Sequence, residues 1–185
     1  DDVETIVERV RELLEENNRL AREIVERVEK LLKDNDDLVK EILEEVDRRI
    51  RKLEEAVKRD RDKETLRKKV RELEERVKEL AERLKKSSKE LKDEVDRLLK
   101  ELEDHSRDLE RRVKELLDDL RRKSTDRRVE ELLRKLEEDV KRSLEDTKRL
   151  LDELKKKVDE SRKRSKDVLD KAREIVDRVR RSVEK

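Results

Sequence analysis

The chain has 185 residues and is 61% charged, with 57 basic and 56 acidic side chains and a formal net charge of +1. It contains no Gly, Pro, Cys, Met, Trp, Tyr or Phe, whereas ordinary soluble domains are only about 25% charged and use all of these residues. The charge balance argues against a nucleic-acid or membrane partner, and the lack of Cys excludes disulfides, thiolate catalysis and Cys-ligated metals.

High charge with little apolar content can indicate disorder, but here Leu, Val and Ile recur at helical spacing throughout the sequence. No apolar run is long enough to span a bilayer, so we predict no transmembrane helix. The N-terminal segment, residues 1–4, is acidic and does not resemble a signal or transit peptide. We therefore expect an all-α protein that is soluble when expressed.

The first predicted helix runs from about residue 2 to residue 58. Its apolar residues follow an 18-residue repeat, and one series of that repeat is Ile6, Ile24 and Ile42. This period equals five turns of an α-helix at about 3.6 residues per turn. The polar residues 33–37 could indicate a turn, but the apolar phase continues unshifted from Leu31 to Leu38, so we predict one continuous helix.

The second predicted helix runs from about residue 63 to residue 122. No apolar residue lies between Val57 and Leu66, and Asp60 or Asp62 can cap the new helix by accepting from its free N–H groups. The 18-residue repeat continues here in Leu66, Leu84, Leu102 and Leu120, while Ser88 and Ser106 are placed in the same apolar stripe.

The third predicted helix runs from about residue 126 to residue 184. Ser124 or Thr125 is the expected N-cap, which would place Asp126 in the positive first turn. The repeat again brings polar residues into the apolar stripe: Ser143 with Ser161, and four residues further on Thr147 with Ser165.

Three helices of nearly equal length joined by short loops predict a single-chain, antiparallel, up-down-up three-helix bundle that occupies residues 1–185 as one domain. A strict seven-residue repeat winds helices into a left-handed supercoil, and an eleven-residue repeat into a right-handed one. Because the 18-residue repeat matches a whole number of turns of the straight α-helix, we expect nearly untwisted helices.

In such a bundle, two residues at the same height have residue numbers that add to a constant when they lie on helices one and two. When they lie on helices one and three, their residue numbers differ by a constant. These rules predict two polar layers, in which Asn can bridge hydroxyls and any slip of register would bury unpaired polar atoms. The alternative is that each hydroxyl bonds only its own helix, to the carbonyl four residues back. The first layer is Asn17, Ser106 and Ser143, with Thr147 and His105 nearby; the second is Asn35, Ser88 and Ser161, with Ser165 and Ser87 nearby.

The single histidine, His105, is the only residue that suggests chemistry. Its neighbours Asp104 and Ser106 complete the residue types of a catalytic triad, but adjacent helical residues diverge by about 100° and cannot converge on a substrate. Di-metal sites in helical bundles need a Glu three residues before the His, where this chain has Leu102. We therefore predict no catalytic, cofactor or metal site, and a structural or solvated histidine.

The whole chain resembles de novo designed, parametrically generated, untwisted three-helix bundles with built-in hydrogen-bond networks. The 18-residue repeat, the missing residue types and the matched layers at Asn17 and Asn35 carry this resemblance, although the loops lack the Gly or Pro that such designs often use. The resemblance implies a structural scaffold with no natural biochemical activity.

A designed interaction module, such as an oligomer subunit or a helix-exchange switch, is the alternative function. The first helix has 22 apolar residues against 17 in each of the others, and residues 1–58 carry a net charge of −6, so this helix could serve a partner. The same charge also suits packing against the two basic helices of one chain. Because the exterior is mostly charged, we expect a monomer, and a natural spectrin-like rod repeat is a distant third interpretation.

Overall fold

The computed structural model describes residues 2–59, 62–123 and 125–185. It contains three helices, α1 (Val3–Arg59), α2 (Lys63–Lys123) and α3 (Arg127–Glu184), and no strand within those ranges. The all-α, three-helix prediction is confirmed, and the helix ends lie within one residue of those expected. Helix α1 passes through residues 33–37 without a break, because its apolar face continues in phase on both sides.

Aspartate carboxylates cap the N-termini of the first two helices. The Asp2 carboxylate accepts the backbone N–H of Thr5 at 3.0 Å and its hydroxyl at 3.2 Å. These bonds, the backbone one foremost, hold the pKa of Asp2 below its ordinary value. Asp62 accepts the backbone N–H of Glu64 at 3.1 Å and the Thr65 hydroxyl at 2.9 Å, so it is the N-cap of α2. The other candidate for that cap, Asp60, lies outside the described residues.

Helix α3 begins one residue later than the sequence suggested. The carbonyl of Asp126 accepts the N–H groups of Val129 and Glu130, both at 3.1 Å, which places Asp126 at the N-cap position. Thr125 precedes the cap, and Ser124 lies outside the described residues. The prediction of Thr125 as cap with Asp126 in the first turn is therefore wrong by one residue, and Asp is an equally good capping type.

Contacts between the helices divide the chain into two compact units. The first unit comprises residues 1–29 and 94–156, and the second comprises residues 30–93 and 157–185. Each unit therefore contains one segment of α1, one of α2 and one of α3.

Helix directions in the first unit follow from its polar contacts. On α1 and α2, Asn17 pairs with Ser106 and Arg27 with Glu94, so residue numbers rise along one helix as they fall along the other. These two segments are therefore antiparallel, as predicted for sequence neighbours.

The second unit has the same directions. Helix α1 meets α2 through Asn35 with Ser87 and through Glu45 with Arg76, which is again an antiparallel pairing. Helix α2 meets α3 through Ser88 with Arg162 and Glu74 with Arg180, which makes those two segments antiparallel and leaves α1 and α3 parallel.

The three helices differ in how completely their apolar residues are buried. Helix α2 buries 16 of its 17 apolar residues, whereas α1 buries 10 of 22 and α3 buries 10 of 17. Burial of aliphatic side chains is the main favourable term in folding, at about 25 cal/mol per Å² of apolar surface. The incompletely buried apolar surface thus belongs almost entirely to α1 and α3.

Candidate functional site: two buried asparagine layers

Asn17 is the centre of the first polar layer and is fully buried, with 0% exposure. Its amide Nδ2 donates to the Thr147 hydroxyl of α3 at 3.1 Å. Its Oδ1 accepts from the Ser106 hydroxyl of α2 at 3.0 Å and lies 3.1 Å from Nδ1 of His105. One side chain of α1 therefore bonds to both of the other helices.

The contact with Asn17 defines the role of the His105 ring. Because the amide Oδ1 can only accept a hydrogen bond, Nδ1 of His105 must carry the proton and donate it. The ring is half-buried and donates to the same oxygen as Ser106. His105 is thus a second donor to the Asn17 amide, a structural position rather than a member of a triad.

Ser143, which the sequence placed in the first layer, does not bond to Asn17. Its hydroxyl donates instead to Oδ1 of the neighbouring, exposed Asn18 at 3.4 Å. Thr147, one turn further along α3, takes the place beside Asn17 and donates its own hydroxyl proton to the Ser143 carbonyl at 3.0 Å.

Asn35 is the centre of the second layer and is 2% exposed. Its Nδ2 donates to two hydroxyls of α3, those of Ser161 at 3.3 Å and Ser165 at 3.1 Å. Its Oδ1 accepts from the Ser87 hydroxyl of α2 at 3.2 Å. Ser165 in turn donates to the Ser161 carbonyl at 3.1 Å. This amide also bonds to both neighbouring helices.

Charged residues extend the second layer towards the surface. Ser161, while accepting from Asn35, donates to Oδ1 of Asp36 at 3.3 Å. Ser88, predicted to meet Asn35, instead accepts from Nε of Arg162 at 3.3 Å. Ser87, which the sequence placed only nearby, is the actual partner on α2.

The hydroxyls of these layers bond across helices and within their own helix at the same time. Thr147 and Ser165 each accept from an Asn of α1 and donate to a carbonyl of α3 four residues earlier. Within the described residues, no buried side-chain nitrogen or oxygen lacks a partner. The two arrangements that the sequence presented as alternatives are therefore compatible, because a hydroxyl both donates and accepts.

Asn18, Asp36 and Arg162 are the polar partners that sequence reasoning missed. The signal for the first two was present, since Asn18 follows Asn17 and Asp36 follows Asn35, one repeat apart. Adjacent helical positions differ by about 100°, so these residues lie beside the layers rather than in them. Arg162 carried no signal, because it is one of many basic residues on α3.

Ion pairs connect α1 with α2 in both units. In the second unit, Arg76 binds both carboxylate oxygens of Glu45, at 2.7 and 3.2 Å, and this hydrogen bonding lowers the pKa of Glu45 and raises that of Arg76. In the first unit, Glu94 contacts Arg97 of its own helix at 2.6 Å and Arg27 of α1 at 3.2 Å. Arg97 is the main cause of the lowered pKa of Glu94.

Among the residues that the structure describes, no three or more His, Asp and Glu side chains form a group that could hold a metal ion. Among the same residues, no helix is long and apolar enough to cross a membrane.

Comparison with known proteins agrees with the fold. The chain is similar to a solved structure described as a computationally designed three-helix bundle, with 20% sequence identity and a TM-score of 0.65. The match covers 97% of this chain and 89% of that one. No family model matches the sequence, and no curated protein matches it. The fold of this chain is thus a three-helix bundle.

Proposed function

We propose that this protein is a designed structural scaffold without catalytic activity, in which two buried asparagine layers hold the three helices in one register. The observation that carries the proposal is that Asn17 and Asn35, exposed by 0% and 2%, each bond to both neighbouring helices. A buried amide left without partners costs about 1–3 kcal/mol, so each layer penalises arrangements that separate its members.

The 18-residue repeat explains why a scaffold of this kind needs polar layers. If one helix slides by one whole repeat, apolar residues meet equivalent apolar residues again, and apolar packing alone would tolerate the error. The polar layers occupy only two of the three repeat heights, and the third height holds Leu53, Val70 and Val179. A slide by one repeat would therefore bury an Asn among aliphatic side chains.

A comparison of single and whole-layer substitutions tests this function. Asn35→Leu should lower the free energy of unfolding by about 1–3 kcal/mol, because Ser87, Ser161 and Ser165 lose their shared partner. Replacing Asn35 by Leu and the three serines by Ala or Val should leave stability unchanged or raise it, since good apolar packing usually equals a buried polar network. Far-UV circular dichroism in a denaturant titration measures both, as the chain has no aromatic residue.

The matched control is Asn18→Leu, which makes the same change at an exposed position of α1. Its effect on stability should stay within about 0.5 kcal/mol. If Asn35→Leu is as harmless as Asn18→Leu, each serine is satisfied within its own helix and the layer does not couple the helices.

A distance measurement tests the register directly. Spin labels at Glu44→Cys and Lys78→Cys occupy exposed sites of α1 and α2 in the second unit, and the chain has no other cysteine. The parent should give one narrow distance distribution. The variant with both layers apolar should add a second population, because a slide by one repeat moves a label by about 27 Å. One unchanged narrow distribution would refute the register function.

A further inference from the structure

A groove between α2 and α3 of the second unit is lined by far more basic than acidic side chains. The groove has a volume of about 580 Å³, and five basic residues line it against one acidic residue, Asp170. This local excess of positive charge contrasts with the near-neutral chain as a whole. The basic groove, as we call it, has the basic residues Lys85 of α2 and Arg162, Lys163, Lys166 and Arg173 of α3.

The protein does not neutralise these basic side chains. Four of them are exposed and Arg162 is half-buried, and none of the five forms an ion pair with a carboxylate of a described residue. Only Arg162 has a hydrogen bond, which its Nε donates to the hydroxyl of Ser88 at 3.3 Å. That bond fixes the guanidinium at the groove, while its two Nη groups have no acceptor in the part of the chain that the structure describes.

Ser88 adds an uncharged donor beside Arg162. The hydroxyl of Ser165 donates to a carbonyl of its own helix, but the Ser88 hydroxyl donates to no acceptor among the described residues. Because a hydroxyl can accept and donate at the same time, Ser88 keeps its proton available while it accepts from Arg162. The two side chains together offer O–H and N–H donors in the groove that both line, and such donors bind phosphate oxygens.

A second groove along the same two helices has balanced charge. This neutral groove also lies in the second unit, has a volume of about 740 Å³, and is lined by four basic and four acidic residues. One of its basic residues, Arg180, approaches the carboxylate of Glu74 at 3.6 Å. An unbalanced positive charge is therefore not a general property of the seam between α2 and α3.

The sequence repeat does not impose the positive charge either. Six ionic residues line the basic groove, and each has an equivalent one repeat away in the first unit. Those equivalents are two Lys, two Glu, one Asp and one Leu, so they carry a net charge of −1 where the basic groove carries +4. They are residues 103, 144, 145, 148, 152 and 155.

The positions of the basic residues favour an extended anion. Arg162, Lys166 and Arg173 lie on one face of α3, because they are four and seven residues apart, and they span about 16 Å. The buried side chains of Leu84 and Leu169 also line the groove, and a cleft with one sign of charge and apolar walls concentrates the field on an anion. A single phosphate group can reach only part of this row, whereas linked phosphates can follow it.

We propose that the basic groove binds a short linear oligophosphate, with one phosphoryl group at Ser88 and Arg162 and the others along Lys166 and Arg173. The Ser88 hydroxyl and the Nη groups of Arg162 donate to oxygens of the first phosphate, and the other two cations neutralise the rest of the chain. Inorganic oligophosphate and the phosphate chain of a nucleoside triphosphate share this chemistry. The site goes beyond the scaffold function, because none of these four residues bonds to Asn17 or Asn35.

Isothermal titration calorimetry of the whole chain with sodium tripolyphosphate tests the proposal. One equivalent should bind per chain, and orthophosphate at equal ionic strength should bind at least about tenfold more weakly, because it reaches fewer donors. Adenosine triphosphate should bind no more tightly than tripolyphosphate, since the groove recognises only the phosphates. Added sodium chloride should weaken the binding of tripolyphosphate by screening the charges.

Variants of the chain locate the site. Arg162→Gln with Lys166→Gln should weaken tripolyphosphate binding at least about tenfold. The matched control, Arg67→Gln with Lys68→Gln, removes the same two residue types from the neutral groove and should bind like the parent. Ser88→Ala changes no charge and should weaken binding at least about threefold, because one hydrogen bond is lost. Circular dichroism verifies that each variant is folded.

Any one of three results would overturn the proposal. The first is equal weakening in the neutral-groove variant, which would indicate non-specific attraction to a protein with 57 basic side chains. The second is parent-like affinity in either the Arg162→Gln, Lys166→Gln variant or the Ser88→Ala variant. The third is a ligand order in which orthophosphate binds as tightly as tripolyphosphate, or adenosine triphosphate binds at least about tenfold more tightly, which would assign recognition to a single phosphate or to the nucleoside.

Discussion

The two asparagine layers differ in which atom of the amide group, Oδ1 or Nδ2, has two partners. In the first unit, Oδ1 of Asn17 has two donors on α2 and Nδ2 has one acceptor, Thr147. In the second unit, Nδ2 of Asn35 has two acceptors on α3 and Oδ1 has one donor, Ser87. The first layer therefore depends on a single bond to α3, and the second depends on a single bond to α2.

This difference shows that equal positions in a sequence repeat need not make equal networks. Both Asn residues occupy the same place in the 18-residue repeat of α1, but their neighbours differ in size and chemistry. A histidine supplies the extra donor in the first layer, and a second serine supplies the extra acceptor in the second. The weakest link of each layer is the side of the amide that has only one partner.

The largest effect should come from the single acceptor of the first layer. Thr147→Val keeps the shape of the side chain but removes the hydroxyl, which leaves Nδ2 of the fully buried Asn17 without its partner. We expect a loss of about 2 kcal/mol in the free energy of unfolding. Ser165→Ala in the second layer should cost less, about 1 kcal/mol, because Ser161 remains an acceptor. Denaturant titration followed by circular dichroism compares the two.

Thr147→Ser is the control for this pair, since it keeps the hydroxyl and removes only a methyl group. It should recover most of the loss seen for Thr147→Val. Equal costs for Thr147→Val and Ser165→Ala would contradict the argument that the number of partners determines the dependence of each layer on α3.

The donors on α2 should show the reverse order, with a smaller difference. Ser87→Ala removes the one donor to Oδ1 of Asn35 and should cost about 1–1.5 kcal/mol. Ser106→Ala should cost less than about 1 kcal/mol, because His105 still donates to Oδ1 of Asn17. The same denaturant titration measures both costs.

A double substitution sharpens the comparison of these donors. Ser106→Ala with His105→Ala should lose more stability than the two single losses added together, because only the pair leaves the oxygen unpaired. Simple additivity would mean that the two residues do not share Oδ1 of Asn17 in solution.

The sequence predicted the central asparagine of each layer better than the hydroxyl partners of that asparagine. Asn17 and Asn35 were identifiable because a polar side chain in an otherwise apolar helical stripe is exceptional. Which hydroxyl bonds to the amide depends on the directions of side chains within one helical turn. Matching residues by their height along the bundle cannot resolve those directions. Thr147 and Ser87 therefore replaced Ser143 and Ser88 as direct partners.

The fold was predictable in more detail than the surface. The apolar phase and the capping residues identified the three helices to within a residue, because a long helix depends on a periodicity that its whole sequence repeats. The incompletely buried apolar residues were visible only as a surplus of apolar residues on the first helix. A count of apolar residues does not say which seam leaves them partly exposed, since that depends on the packing of all three helices.

The two ion-pair sites beside α2 differ in how far they depend on tertiary structure. The lowered pKa of Glu45 arises first from Arg76 on another helix, whereas that of Glu94 arises first from Arg97, three residues away on the same helix. An intrahelical pair can persist in a helix without tertiary contacts, so less of its effect depends on folding.

The smallest effect should be the resulting difference in acid sensitivity. A carboxylate with a lowered folded-state pKa stabilises the protein above its unfolded pKa, and this stabilisation is lost as pH falls through the folded value. Glu45→Gln should therefore reduce the fall in melting temperature between neutral and acidic pH more than Glu94→Gln does. Both effects should shrink in high salt because both pairs are partly exposed to solvent. If Glu94→Gln has the larger effect, its contact with Arg27 of α1 contributes more to the tertiary structure than its contact with Arg97 suggests.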